Sequence, residues 1–315
     1  MAFRAFYALP VDNFTTSTGQ STNAVHGFVS MFLSLLENER PTHVAVAFDL
    51  PGGTFRTEQY AEYKGTRDET PQPFLGQVEL IQEVLEAMGV TALTAPGYEA
   101  DDILATLATS AQAEGMEVLI CSGDRDACQT VTARCTVLYP VKGVSTLRRM
   151  TPMEVEERYG VTPERYPHLA ALVGETSDNL PGVPGVGPKT AAKWLNLYDG
   201  LDGVIAHADQ IKGKAGQSLR DHLDDVVRNR RLNQLVNDLD LNVTLEDTAF
   251  TPDLDALNTF FDEVEFRTIR KRAADTLGPI VRAAGSAGSA GSAAEAGEEG
   301  ATKKAPTGPV YAPIA

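Results

Sequence analysis

The chain has 315 residues, 43% of them hydrophobic, which is enough to bury one large core or two smaller ones. With 43 acidic residues against 27 basic ones the net charge is −16, which argues against a simple electrostatic nucleic-acid binder. No apolar run spans a bilayer, no secretory pattern opens the chain, and Cys121, Cys128 and Cys135 lack metal-type spacing. The sequence therefore reads as cytoplasmic, with neither membrane contact, disulfides nor zinc.

The first helix is expected from Thr22 to Glu37, where Val25, Phe28, Val29, Phe32, Leu33 and Leu36 recur at helical spacing. Val44 to Phe48 is a short apolar run ending at Asp49 and bounded by Pro and Gly, the pattern of a strand buried on both faces. Residues 56–69 are different in kind, with Arg56, Tyr60, Tyr63, Lys64 and Arg67 among few aliphatics. A second helix is expected over 73–88, a strand over 90–94, and a third helix from Ala100 to Glu114. Glu117 to Cys121 and Thr136 to Tyr139 are further strands, the latter leading through Lys142-Gly143 into a hairpin. Alternating strands and helices predict a mostly parallel α/β sheet flanked by helices. After Thr151 the pattern is helical to about Lys271, and from Ala283 Ala-Gly-Ser repeats predict a disordered tail.

Asp49 ends one predicted strand, Asp124 and Asp126 follow another, and Glu99, Asp101 and Asp102 open a helix. In an open parallel sheet these positions share one edge. Taken singly, each has a bland reading as a turn or cap residue. Together, six like charges require compensation, and hard cations such as Mg²⁺ or Mn²⁺ supply it where no His or Cys stands nearby. A two-metal carboxylate site suits phosphodiester hydrolysis. In the helical half, Gly182, Gly185 and Gly187 form a turn opening a helix with Lys189 and Lys193, which suits backbone contacts to phosphate. The spacing is not that of a nucleotide-binding P-loop.

Several stretches carry a resemblance: 2–10, 42–49, 54–67, Glu99-Ala-Asp-Asp102, Ser122-Gly-Asp-Arg-Asp126 and 177–193. In order, over roughly residues 2–275, they resemble the 5′-nuclease (flap endonuclease) family, most closely the 5′–3′ exonuclease domain found at the N-terminus of bacterial DNA polymerase I. The resemblance implies a PIN-like core over 1–176 with a helical arch at about 54–90, and a helical DNA-binding region over 177–278. That region would hold a helix-three-turn-helix motif at about 181–197, and the disordered tail would occupy 283–315.

The same resemblance implies two ions, Mg²⁺ with Mn²⁺ as substitute. Asp49, Glu99, Asp101 and Asp102 would surround the first, and Asp124, Asp126, Glu175 and Asp178 the second. Lys64 and Arg67 would assist the chemistry. Arg4, Arg56, Tyr63, Gly182, Gly185, Gly187, Lys189 and Lys193 would contact DNA, with K⁺ held at the helix-three-turn-helix motif. The implied activity is 5′–3′ exonuclease and flap endonuclease action on a 5′ flap, nick or RNA-primed end during replication and repair, by a monomer working beside DNA polymerase I or ligase. The alternatives are a catalytically impaired DNA-junction binder and a single-strand RNase.

Two departures from the family pattern stand out. The family pattern places a central strand ending in a ligand Asp just before Met1, and two expectations stand for its absence: a start codon lying upstream, or a truncated chain missing that strand and one ligand. Glu175 stands where relatives carry Asp. Whether the chain stands alone or forms part of a longer polymerase is open at this level.

Overall fold

The computed structural model describes residues 1–66, 69–142, 146–291 and 309–313. The chain opens with α1 (Ala2–Ala8) and α2 (Asn23–Glu39), then β1 (His43–Ala47), α3 (Phe55–Gln59), α4 (Gln77–Ala87), β2 (Thr91–Leu93), α5 (Ala100–Ala113) and β3 (Glu117–Cys121). The hairpin β4 (Cys135–Lys142) and β5 (Thr146–Met150) follows, with its expected turn at 143–145 outside the described residues. Next come α6 (Pro152–Tyr159), α7 (Tyr166–Val173), the ribbon β6 (Gly174–Glu175) and β7 (Leu180–Pro181), α8 (Pro188–Leu197) and α9 (Leu201–Ala206). The last elements are α10 (Gly213–Asp221), α11 (Leu223–Asn233), α12 (Leu254–Glu263), α13 (Arg267–Gly291) and β8 (Pro309–Pro313).

The six-stranded sheet runs β2-β1-β8-β3-β4-β5, parallel except for the antiparallel β4–β5 pair. Alternation along each strand explains why apolar runs rather than alternating patterns marked them in the sequence. Ala45, Ala47, Val118, Ile120 and Val137 face one core with α5 and α7. Val44, Val46, Leu119, Cys121 and Leu138 face another built from α1, α2, α4, α12 and α13. Both faces of β1 and β3 are covered, so their inner positions are apolar on both sides. All three cysteines are free and buried, in keeping with their reading as small hydrophobes.

Three expectations change. The helical half is not helical throughout: from Gln234 to Thr244 the backbone forms neither helix nor strand and bonds instead to the side chains of Asp102, Thr106 and Gln129. The helices α12 and α13, expected in the DNA-binding region, bury Leu257, Phe260, Phe261, Ile269 and Leu277 against the face made by α2 and α4. The tail, read as disordered from 283, holds helix to Gly291 and a strand at Pro309–Pro313 that pairs with both β1 and β3. Two open strand edges left facing each other inside a covered sheet would strand buried N–H and C=O groups, and that pairing need outweighs the low apolar content of the segment. The sheet expected to lack a central strand thus has one, supplied from this end of the chain. The rest of the tail lies outside the described residues.

Gln77 ties the first lobe together from a fully buried position. Its Oε1 accepts from the backbone of Ala24 and Val25 at 2.7 and 3.3 Å, capping the first turn of α2, and its Nε2 donates to Asn23 and to the Pro73 carbonyl. Gln77→Leu, close in volume but without these bonds, is expected to lower unfolding free energy by about 3 kcal/mol, read as a shift of the urea midpoint at constant slope.

Candidate metal centre and nucleic-acid interface

The site is assembled on a buried ion pair. Arg56, only 1% exposed on α3, donates from both terminal nitrogens to the two oxygens of Asp102 at 2.7 and 2.8 Å. The same guanidinium bonds the carbonyls of Leu232 and Gln234, and Asp102 accepts from the backbone of Val236 and of Glu99. This corrects two expectations. Arg56 is not presented to DNA, and Asp102 has both oxygens committed to structure rather than open to a cation. The composition of 56–69 gives no sign of this partner, which lies 46 residues away in sequence.

Around this anchor the start of α5 aims its carboxylates outward. Glu99 accepts from Tyr63 Oη at 3.1 Å and from Lys64 Nζ at 2.5 Å, and lies 3.3 Å from Arg56. Tyr63 is thereby buried rather than exposed to nucleic acid. Lys64 is held by its backbone, whose N–H donates to the Asp178 carbonyl at 3.0 Å, in a left-handed conformation with φ 57°. Asn179, also left-handed at φ 56°, returns the contact from its side chain to the Glu62 carbonyl. Arg67 lies outside the described residues.

Lys64, Asp49, Asp101 and Asp124 line one cleft of about 350 Å³, with Met1, Phe3 and Arg4 along its wall. Asp49, just past β1, fixes the α5 N-terminus by accepting from Ala100 N–H at 2.8 Å. Arg4 is exposed and donates to the Gly123 carbonyl at 3.2 Å. A second cleft of about 530 Å³ is lined by Gly123, Asp124, Arg125, Tyr139 and Glu175. Asp124 therefore stands in the wall of both. Behind it Asp126, Glu175 and Asp178 bring carboxylate oxygens within 4.8 Å of one another.

Glycine geometry sets that spacing. Gly174 has φ +83°, and a Cβ there would meet Gly182 N at 2.3 Å; one on Gly182 would meet the Val173 carbonyl at 2.0 Å. Only two glycines let β6 and β7 close, which pairs Glu175 with Leu180 and keeps Asp178, in the turn between them, close to Glu175. Gly182, expected to hold phosphate, thus packs against backbone instead. Gly185 and Gly187 do have open surroundings, on a turn pinned by buried Val183 and Val186. From that turn α8 starts at Pro188, with Lys189 and Lys193 exposed.

The carboxylates show the strain of their crowding. Burial, then the Asp124 charge, pushes Asp101 well above the usual carboxylate range. Burial, then Asp124, Glu175 and Asp178, does the same to Asp126. Glu175 rises to about 7, through burial first and then Asp124 and Asp178, with Arg125 opposing. The Oδ1 atoms of Asp101 and Asp126 are buried without a hydrogen-bond partner among the described residues. A set of oxygen donors, with orphaned buried oxygens and no His or Cys among them, fits hard divalent cations. Asp49, Asp101 and Asp124 share one cleft, and Asp126, Glu175 and Asp178 form one group beside it. Among the described residues no helix is long and apolar enough to cross a membrane.

Residues 1–160 match the family described as 5′–3′ exonuclease, N-terminal resolvase-like domain, and residues 161–255 the 5′–3′ exonuclease C-terminal SAM fold. DNA polymerase I of Mycobacterium tuberculosis is 53% identical over 278 residues, 88% of this chain and 31% of the relative. That of Bacillus caldotenax is 40% identical over 274 residues, 86% and 31%. The chain thus spans about a third of the length of these relatives. Among solved structures, the T5 D15 flap endonuclease in a pseudo-enzyme-product complex with DNA and metal ions has a TM-score of 0.60 at 21% identity, covering 82% of this chain and 95% of that one. The catalytic core of Rad2 with DNA substrate gives 0.54 at 20%, covering 87% and 88%. These likenesses establish a shared fold.

Two outcomes follow from the geometry. A carboxyl whose folded pKa is raised stabilises the fold below its unfolded pKa and loses that contribution as pH rises through the folded value. For Glu175 this window runs from 4.5 to about 7. In EDTA the melting temperature should fall as pH rises from about 5 to about 8, and added Mg²⁺ or Mn²⁺ should restore it at the upper end, since cations take the deprotonated ligands. Asp126→Asn should raise the EDTA melting temperature and abolish the cation-induced increment; a flat EDTA profile would count against the crowded cluster. Arg56→Ala should cost about 3–5 kcal/mol in urea unfolding by leaving Asp102 buried and unpaired, a loss that a surface DNA contact would not produce.

Proposed function

The chain belongs to the 5′–3′ exonuclease family, and from that membership we propose that it is a divalent-cation-dependent, structure-specific 5′ nuclease that removes 5′ flaps and RNA-primed ends in the cytoplasm. The observation that carries this reading is Asp124, which lines both clefts and so joins two groups of carboxylates into one site. Asp49, Glu99, Asp101 and Asp124 would hold one ion, Mg²⁺ or Mn²⁺, and Asp124, Asp126, Glu175 and Asp178 the other. Bound there, the pair would supply an activated water and neutralise charge on the attacking and leaving oxygens.

The remaining work falls to the chain's own side chains. Lys64 lies at the mouth of the first cleft, and Glu99 draws its ammonium inward. Positive charge there meets the phosphoryl oxygens as they gain negative charge, which favours the transition state over the ground state. Tyr63 and Arg56 orient Glu99 from behind. Arg4 and the matching basic residue Arg67 add charge for phosphates of the incoming strand.

The turn from Pro181 to Lys193 serves as the helix-three-turn-helix element. Backbone N–H groups of Gly185 and Gly187, with Lys189 and Lys193, grip duplex phosphates, and carbonyls of the same turn hold K⁺. Such contacts carry no sequence information, so shape selects the substrate. Local basic contacts of this kind explain how a chain of charge −16 engages DNA. The product, a nick, suits a following polymerase or ligase step.

A 5′-labelled flap duplex incubated with Mg²⁺, Mn²⁺ or EDTA tests the reading. Cutting near the flap junction is expected with either cation and none with EDTA, and Lys64→Ala should lower the single-turnover rate about 10²–10³-fold with little change in duplex affinity. Flap binding without cation-dependent cutting would leave only a junction binder, and faster cutting of single-stranded RNA would point to a ribonuclease.

A further inference from the structure

A short run of backbone at the end of α11, residues 232–236, has its peptide groups taken in alternation by two different side chains. The carbonyls of Leu232 and Gln234 accept from Arg56 at 2.8 and 3.1 Å, and Val236 N–H donates to Asp102 at 2.9 Å. Between them, the Asn233 carbonyl accepts from Gln129 Nε2 at 2.9 Å, and Leu235 N–H donates to Gln129 Oε1 at 3.0 Å. The Gln234 side chain donates to the same oxygen at 3.1 Å. One set of bonds fixes this run to the ion pair behind Glu99 and Asp101. The other fixes it to Gln129.

Gln129 belongs to the short helical turn Asp126–Thr130, one turn beyond Asp126. It lines a separate cavity of about 160 Å³ with Ala105, Ala108, Gln234 and Leu235. The Asp126 carboxylate needs a restraint of this kind. It is buried within 4.8 Å of Glu175 and Asp178, which repel it when ionised, and its Oδ1 has no hydrogen-bond partner among the described residues. Its place is therefore set by the backbone that carries it. At one end of the turn Asp126 N–H donates to Asp124 Oδ1 at 3.0 Å. At the other, Gln129 grips three atoms of the run after α11.

We propose that Gln129 is a positioning residue for the second cation: through residues 233–235 it ties the turn bearing Asp126 to the Arg56–Asp102 pair, and so fixes the separation of the two ions. The inference rests on the two-cation reading above. Gln129 acts through Asp126, and the run of backbone between Gln129 and Arg56 serves as the spacer between the two carboxylate groups.

Titration of the full chain with Mn²⁺, followed by electron paramagnetic resonance, tests this. The wild type should take up two ions and show the signal of a spin-coupled pair. Gln129→Leu, close in volume but without these bonds, should weaken one ion about tenfold, leave the other within about twofold, and remove the coupled signal. Gln129→Met should do the same, which separates the lost bonds from any packing effect of leucine. Gln112→Leu is the control: Gln112 lines the same cavity but bonds Thr132 and the Ala108 carbonyl, so both ions and their coupling should be unchanged. A coupled pair of unchanged affinity in both Gln129 variants, or an equal loss at both ions, overturns the role of Gln129 and leaves the two-cation reading standing. A wild-type chain that takes up no Mn²⁺ overturns both.

Discussion

The pairing of Arg56 with Asp102 is the constraint on which the rest of the site depends. One guanidinium joins three stretches that share no sequence proximity: α3, the first turn of α5, and the chain after α11. Burying two charges is costly unless every donor and acceptor finds a partner, and here they do. The consequence is mechanical. With Asp102 held from behind, Glu99 and Asp101 are carried by a helix start that cannot rotate, and the resolvase-like lobe is fastened to the helical one at the base of the cleft.

Against that fixed frame the other carboxylates are placed by strand ends and by one tight ribbon. Asp49 and Asp124 inherit their positions from β1 and β3, the parallel strands that flank β8. Glu175 and Asp178 inherit theirs from the closure of β6 on β7. The result is a region where like charges are closer than they would settle alone, and where protons and the proposed divalent cations would compete for the same oxygens. The raised pKa of Glu175 and the orphaned oxygens of Asp101 and Asp126 are two signs of one crowding.

Much of this was legible in the sequence because it is local. Apolar runs bounded by Pro and Gly marked β1 and β3, helical spacing marked α2, α4 and α5, and an Asp after each strand marked the edge. What escaped was long-range. Asp102 has the same position in its helix as a ligand would, and only the arrival of Arg56 decides otherwise. Tyr63, implied as a DNA contact by the resemblance, and Gly182, implied by the glycine-rich turn, are each consumed by packing. The chain after α11 carries no periodic signal, since its hydrogen bonds go to side chains elsewhere. The strand at Pro309–Pro313 was invisible for a further reason: its composition opposes it, and only the demand of two open edges places it there.

The contact between Gly174 and Gly182 has a consequence for how this site can vary over evolutionary time. Backbone lies against backbone there with no side chain to trim, so no compensating deletion elsewhere can make room for even one methyl group. Next door, Glu175 lines the larger cleft, where no backbone contact fixes the length of the side chain. Drift in this part of the fold is therefore free to tune the reach of the acids while the hinge beneath them stays invariant, and adaptation to a different cation or a slower turnover would be written in the ligands and not in the ribbon that presents them.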